Sequence, residues 1–291
     1  MITIFTPTYN RSDLLKRAYH SLLNQTNKKF EWVIVDDGST DDTLEVVAQF
    51  VADQKIKIVI GSQSNGGKHI AVNHGLKLAS GKLFLILDSD DQLTFDAIDQ
   101  ISLQWEKLKL SKEIDQFAGL VFNKGFLDGS LIGNSVSESI DATIIHYRYQ
   151  LKIKGDKLEI FKTDVLKNFP FPHNGEKFCP EALIWNRIGS KYKFRFLNEV
   201  IYLAEYLPDG LTDKIVSVRK KSPMNTATYY AELTCYEIPV VEKLKAAVNF
   251  WRFSIYNKEK IKLQKTTKIN LLLSLFALPI GVLLGFRERR K

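Results

Sequence analysis

The 291-residue sequence predicts an α/β protein built on a largely parallel sheet, followed by a helical, basic tail. Three observations carry that prediction. Short apolar runs alternate with helical patterns through the first 120 residues, the pattern of successive βαβ units. One run, Leu83-Phe84-Leu85-Ile86-Leu87, is apolar without a break, as expected of a strand buried on both faces. From Pro223 onward the chain reads as long helical patterns that end on an apolar stretch between basic residues.

Taken in order, the apolar runs predict strands over residues 2–6, 32–35, 56–60, 83–87 and 118–122. Helical periodicity between them predicts helices over 12–24, 40–53, 69–79 and 94–109, with Ser12, Thr40 and Thr94 as N-cap candidates. Beyond Gly125 the pattern loosens, and the Gly, Ser and Asn residues between 128 and 139 predict a loop over or beside a site. A strand over 158–161, a helix over 180–188 and a strand over 200–206 follow, closed by the Pro208-Asp209-Gly210 turn.

The net charge of +8 is unevenly placed. From Lys243 to Lys291 twelve Lys and Arg face only Glu259 and Glu288, giving +10 and leaving about −2 for residues 1–242. No nucleic-acid motif accompanies this charge, so nucleic acid is not an expected partner. Cys179 and Cys235 have neither zinc-site nor disulfide spacing and read as reduced, buried thiols. Ile2-Thr3-Ile4-Phe5 begins a strand at once, so no signal peptide is expected.

Residues 269–286 form an 18-residue stretch with only Asn270 and Ser274 polar, borderline in length for crossing a bilayer. Pro279 and Gly281 interrupt it. Lys260, Lys262, Lys265 and Lys268 precede it, and Arg287, Arg289, Arg290 and Lys291 follow. Positive charge on both flanks fits a kinked helix lying in or dipping into the cytoplasmic leaflet better than a simple span. A helix closing a soluble core or an oligomer interface is the alternative.

The apolar run at 83–87 ends in Asp88-Ser89-Asp90-Asp91, three carboxylates within four residues. At the carboxyl end of a buried strand they stand where open α/β sheets bind ligands. Carboxylates this close repel unless a cation joins them, and paired oxygen donors suit a hard divalent metal. Two further loops open at the same edge: Thr6-Pro7-Thr8-Tyr9-Asn10-Arg11 and Val35-Asp36-Asp37-Gly38-Ser39-Thr40-Asp41. Asp36 can accept from a base imide N–H, and Thr8 and Tyr9 can contact base and ribose. In Asn65-Gly66-Gly67-Lys68 the glycines free the backbone to approach a ligand, and Lys68 can reach a phosphate. His69 and His74, five residues apart, do not share a helix face and read as ordinary polar helix residues.

These motifs in this order, with Ala71, Asn73 and Gly75 after Gly67, resemble the signature of family 2 glycosyltransferases over about the first 100 residues. The resemblance implies a GT-A fold, a nucleotide-diphosphate sugar donor, a Mn2+ or Mg2+ ion and inversion at the anomeric carbon. It implies donor contacts from Thr6, Pro7, Thr8, Tyr9, Asp36, Asp37, Asn65, Gly67, Lys68, Asp88 and Ser89. Asp90 would be the main metal ligand, with Asp88 beside it.

The segment Gly175-Glu176-Lys177-Phe178-Cys179-Pro180-Glu181 resembles the acceptor side of these enzymes, where an acid at a helix start is the general base. Glu181 is the match. The usual Glu-Asp pair is here Pro180-Glu181, which leaves Glu205 as a rival. The Gln-x-x-Arg-Trp motif of processive members is absent, Trp185 and Arg187 standing in another order, so one sugar per visit is expected. Trp185 and Arg187 can shape the acceptor pocket, or Trp185 can be core.

The expectation is a catalytic domain over 1–222, with a nucleotide-sugar half at 1–110 and an acceptor half at 111–222, and a helical region over 223–291. It would move one sugar from a nucleotide donor, a UDP-sugar by preference, to a glycan on a lipid diphosphate in bacterial surface polysaccharide synthesis, at the cytoplasmic face of the membrane. A dehydrogenase would need a Gly-x-Gly-x-x-Gly turn after the first strand, and residues 6–11 contain no glycine. The rival of another class is a non-catalytic transferase-fold scaffold that holds a partner enzyme at the membrane.

Overall fold

A computed structural model describes residues 1–205, 214–257 and 269–289. Four parallel strands begin the sheet: β1 (Ile2–Thr8), β2 (Phe30–Asp36), β3 (Ile58–Ser62) and β4 (Leu83–Ile86). Helices α1 (Ser12–Leu23), α2 (Thr43–Ala52) and α3 (Lys68–Leu78) connect them. After β4 come β5 (Gln92–Leu93), α4 (Ala97–Lys109), β6 (Phe117–Phe126), β7 (Ile140–Ala142), β8 (Lys157–Lys162), α5 (Thr163–Lys167), α6 (Glu181–Gly189) and β9 (Lys193–Ala204). The nine-stranded sheet runs β3-β2-β1-β4-β8-β6-β9-β5, with β7 on β9. Strand β8 is antiparallel to both β4 and β6, so the sheet is mixed.

Alternation along the strands divides the apolar residues between two faces. Ile2, Ile4, Trp32, Ile34, Leu83 and Leu85 pack with α1, α2 and α4. Phe5, Val33, Val35, Phe84 and Phe161 pack with α3, α5 and α6. The result is a three-layer α/β/α body in which β4, buried on both faces, lies mid-sheet. Because β1, β2 and β4 are parallel, their carboxyl ends open on one edge.

Helices α7 (Ile215–Lys221), α8 (Pro223–Leu233), α9 (Val240–Ser254) and α10 (Leu271–Arg289) follow. A third apolar cluster joins α8 and α9 to Ile145 of the α/β/α body. Helix α10 lies along α9. The Trp251 indole donates to the Ser274 carbonyl at 3.0 Å. Arg252 and Lys220 both pair with Glu288.

Several boundaries depart from expectation. Helices α2 and α4 begin after Asp42 and Asp96, not at Thr40 and Thr94. Thr40 N–H donates instead to the Asn10 carboxamide at 2.8 Å. Thr94 N–H donates to the Ile201 carbonyl at 3.0 Å, extending the β5 pairing with β9. The two-residue β5, three-residue β7 and five-residue α5 are too short for a periodic signal. Helix α7 starts before 223, so the helical region begins earlier than expected. Pro279 does not interrupt α10, which continues through it. Cys179 is buried as expected, but Cys235 is exposed. The expected turn at 208–210 and the basic residues at 260–268 and 290–291 lie outside the described residues.

Candidate active site

Three loops meet at the carboxyl edge, and their polar side chains mainly tie them to one another. The Asn10 carboxamide accepts from Thr40 N–H, and Asn10 N–H donates to the Ser39 hydroxyl at 2.9 Å. Asp36, buried at the end of β2, accepts the Ser39 N–H with both oxygens, at 3.2 and 3.1 Å. Asp37 accepts from Gln63 Nε2 at 2.8 Å and from Gly66 and Gly67 N–H at 2.7 and 2.8 Å. It is thus the clamp of the glycine loop, a role not expected from the sequence. Thr6 is likewise structural, its hydroxyl accepting from the Trp32 indole at 2.9 Å. Pro7 stays within β1, and Asn65 is half-buried in the clamped loop. Thr8 Oγ1 is buried without a partner, and Tyr9 is exposed.

Gly67 joins the two halves of the molecule. Its φ of 92° lies in the region that favours glycine, and a Cβ there would stand 2.0 Å from the Lys177 carbonyl oxygen. That contact brings the start of α3 against the segment leading into α6. Lys68, the first residue of α3, then bridges the halves by charge. Its Nζ lies 2.5 Å from Asp88 Oδ1 and 2.9 Å from Glu181 Oε1. Burial disfavours the ammonium, but the two carboxylates outweigh it and hold its pKa above the ordinary lysine value. Burial likewise works to raise the Asp88 pKa, and Lys68 and then Lys124 outweigh it, holding the carboxyl low.

The acids after β4 differ in surroundings. Ser89 is buried between them. Asp91 is buried and accepts from the Tyr202 hydroxyl at 2.6 Å and from Glu205 N–H at 3.2 Å. The same hydroxyl accepts from Asp88 N–H at 3.1 Å. Burial, then the charge of Asp88, pushes Asp91 up to about 6, with Tyr202 opposing. Burial and then Asp88 also raise the Asp90 pKa, which Arg11 and Lys68 only partly offset. Asp88 is thus near enough to act on Asp90, and although Asp88 Oδ1 is held by Lys68, the two carboxylates are oxygen donors of the kind a divalent cation takes. Among the described residues no three His, Cys, Asp or Glu side chains gather around one point. Those two carboxylates would accordingly hold a metal together with oxygens from a ligand and water.

Glu181 opens α6 after Pro180, at the wall of a cavity of about 380 Å³ that also reaches Lys68 and Asp88. Glu205 is paired instead with Arg17 of α1. Trp185 lines the cavity, but Arg187 does not: its guanidinium makes a two-point pair with Glu232 of α8, at 2.9 and 2.6 Å. His69, expected from its spacing to be an ordinary polar residue, is buried in the cavity wall with neither ring nitrogen partnered. Burial pushes it down to about 4. Lys124, Lys157 and Glu159 also line the cavity and carried no motif signal, since charged residues inside strands ordinarily point to solvent.

A family model described as Glycosyl transferase family 2 matches residues 3–114. A β-1,3-glucosyltransferase of Campylobacter jejuni, named for GalNAc(5)-diNAcBac-PP-undecaprenol, is 28% identical over 66% of this chain and 61% of its own. The chain thus spans under two thirds of that relative's length. Glycosyltransferase GlyG of Streptococcus pneumoniae is 30% identical over 214 residues, 70% of each chain. Residues 1–349 of S. aureus TarS, solved with UDP-GlcNAc, superpose with a TM-score of 0.63 at 17% identity, covering 99% of this chain and 91% of that one. At that identity the likeness is one of fold, and the fold is GT-A.

Proposed function

The chain belongs to glycosyltransferase family 2, and from that premise we propose that it is an inverting, non-processive transferase of one sugar from a UDP-sugar to a lipid-linked glycan. The observation that carries this reading is Lys68, whose ammonium touches Asp88 on one side and Glu181 on the other. The residue expected at the donor sugar and the residue expected to be the base therefore face the same point, from separate halves of the chain.

In this reading Thr8 and Tyr9 meet the nucleotide, and Asp36 and Asp37 shape its site through the loops they hold. Glu181 takes the proton from the acceptor hydroxyl as the oxygen bonds to the anomeric carbon. The bond from that carbon to the diphosphate breaks on the opposite face, which inverts the configuration. Lys68 orients the Glu181 carboxylate for that transfer. A Mn2+ or Mg2+ ion held by Asp90 and Asp88 would supply charge stabilisation to the leaving diphosphate.

A UDP donor is supported by the UDP-GlcNAc that the TarS fold holds. A lipid-diphosphate acceptor, and a place in bacterial surface polysaccharide synthesis, are supported by the undecaprenol named for the Campylobacter relative. Membrane attachment is supported by α10, whose Leu271, Leu272, Leu275, Phe276 and Leu283 are exposed. Its inner side lies on α9, which carries Lys243, Lys245 and Arg252, and that packing favours a helix lying in the leaflet over one that crosses it.

The test is transfer or hydrolysis from a panel of UDP- and GDP-sugars with Mn2+, for the wild type beside Asp90→Ala. Activity on UDP-sugars that is lost in the variant is the expected result. Full activity in Asp90→Ala removes the metal assignment, and no turnover of any donor by the wild type favours the scaffold reading.

A further inference from the structure

The cavity beside Glu181 carries more positive charge than the proposed transfer reaction uses. Lys68 lies between Asp88 and Glu181, and that trio carries one net negative charge. Five further cations line the same cavity: Lys124, Arg148, Lys157, Lys177 and Arg219. The acids that remain there are Asp156 and Glu159. Burial pushes Glu159 up to about 7, with Arg148 and Lys124 opposing, so near neutrality it supplies only part of a negative charge.

The hydrogen bonds do not remove the surplus. Lys157 is buried on β8, and its ammonium donates to the neutral Asn134 carbonyl at 2.8 Å. Burial, then the charge of Arg148, pushes it down to about 8. Arg148 lies 3.8 Å from Glu159, at the outer limit of an ion pair, and donates to the Gly155 carbonyl. Arg219 donates to the Tyr230 hydroxyl, while its Nε is buried without a partner. Lys124 stands 4.0 Å over the Tyr202 ring. A desolvated cation without a counter-charge costs free energy, and an anionic ligand is the simplest group that recovers it.

We propose that this cavity selects an acceptor whose terminal sugar bears an anion, a carboxylate on the ring or a phosphate at its linkage, close to the hydroxyl that is glycosylated. The proposal rests on the reading of Glu181 as the base, which places the acceptor in this cavity. The donor diphosphate is the competing claimant for these cations. The same cavity reaches Lys68 and Asp88 of the donor half, so the test keeps UDP bound and reads what the remaining cations select.

The experiment uses the full chain saturated with UDP and three probes at constant ionic strength: methyl β-glucoside, methyl β-glucuronide and glucose 1-phosphate. Binding is followed by saturation-transfer NMR and calorimetry. At least one charged probe binds about tenfold or more tightly than the neutral one, as charge-assisted contacts predict. The glucuronide answers for charge on the sugar, and glucose 1-phosphate for charge at the linkage. Lys157→Met and, independently, Arg219→Met lose most of that preference while the UDP affinity stays within about twofold, well under a tenfold change. Equal binding of all three probes by the wild type overturns the proposal, as do variants that weaken UDP and leave the preference intact. If the wild type binds no UDP, the transferase reading fails, and the charge preference is still read from the three probes alone.

Discussion

Tyr202 governs two positions of the acidic loop from one hydroxyl, donating to Asp91 and accepting from Asp88 N–H. Tyr202→Phe leaves the Asp91 carboxylate buried with one donor fewer, a loss of about 1–3 kcal/mol in urea unfolding. It also raises the Mn2+ concentration needed for half-maximal transfer, since the loop bearing Asp90 loses its anchor. Glu31 is a purely structural counterpart. Burial opposes its ionisation, but hydrogen bonds from Lys57, Ser80 and Thr3 outweigh it and lower the carboxyl from 4.5 to about 2. A depressed carboxyl stabilises the fold above its ordinary value, and the contribution is lost as pH falls from 4.5 toward 2. Glu31→Gln is accordingly less stable by about 3 kcal/mol at pH 7, with the deficit shrinking below about pH 4 in denaturant titrations. Lys157 acts in the opposite pH range. Held down to about 8 by burial and Arg148, it loses its charge above that pH, so kcat/KM for an anionic acceptor falls there. Lys157→Met lacks that limb of the profile.

At the scale of elements, glycines decide how closely parts approach. Gly67→Ala drives a methyl group into the Lys177 carbonyl and strains a φ of 92°, so α3 and the segment before α6 separate. The expected result is a large fall in kcat with a smaller change in UDP affinity. Gly281 reads in sequence as a helix breaker, but it is a contact point: a Cβ would lie 2.5 Å from the Val248 carbonyl oxygen. Small residues at Ser274, Ala277, Gly281 and Gly285 face α9, and the large apolar ones face out. Replacing Leu275, Phe276 and Leu283 by Ser should release the full chain from vesicles of anionic lipid in a sedimentation assay, with UDP binding retained. Retention on the vesicles would remove α10 as the attachment. The first four strands are legible in the sequence because each is an apolar run between turn residues. Strands β5 and β7 are not, because two or three residues held by a neighbour carry no period of their own.

For the molecule as a whole, the sequence is most readable where function depends on backbone shape and least readable where it depends on side chains brought from afar. The loops after β1, β2 and β4 keep their polar residues in short ordered segments, so the candidate site at the carboxyl edge is recognisable from the sequence alone. The cavity beside Glu181 assembles Lys124 of β6, Lys157 and Glu159 of β8 and Arg219 of α7, which become neighbours only through the order β4-β8-β6 and the docking of α7. Glu181 stands out as the start of a helix, but its pairing with Lys68 spans the two halves and has no local sign. In the proposed mechanism that pairing is where donor and acceptor chemistry are joined, so the most direct measurement is transfer by Glu181→Gln beside Glu205→Gln, with UDP affinity followed in both. The account predicts that Glu181→Gln loses transfer by about 10²-fold or more while binding UDP normally, and that Glu205→Gln keeps it. Transfer that survives in Glu181→Gln and disappears in Glu205→Gln would contradict it.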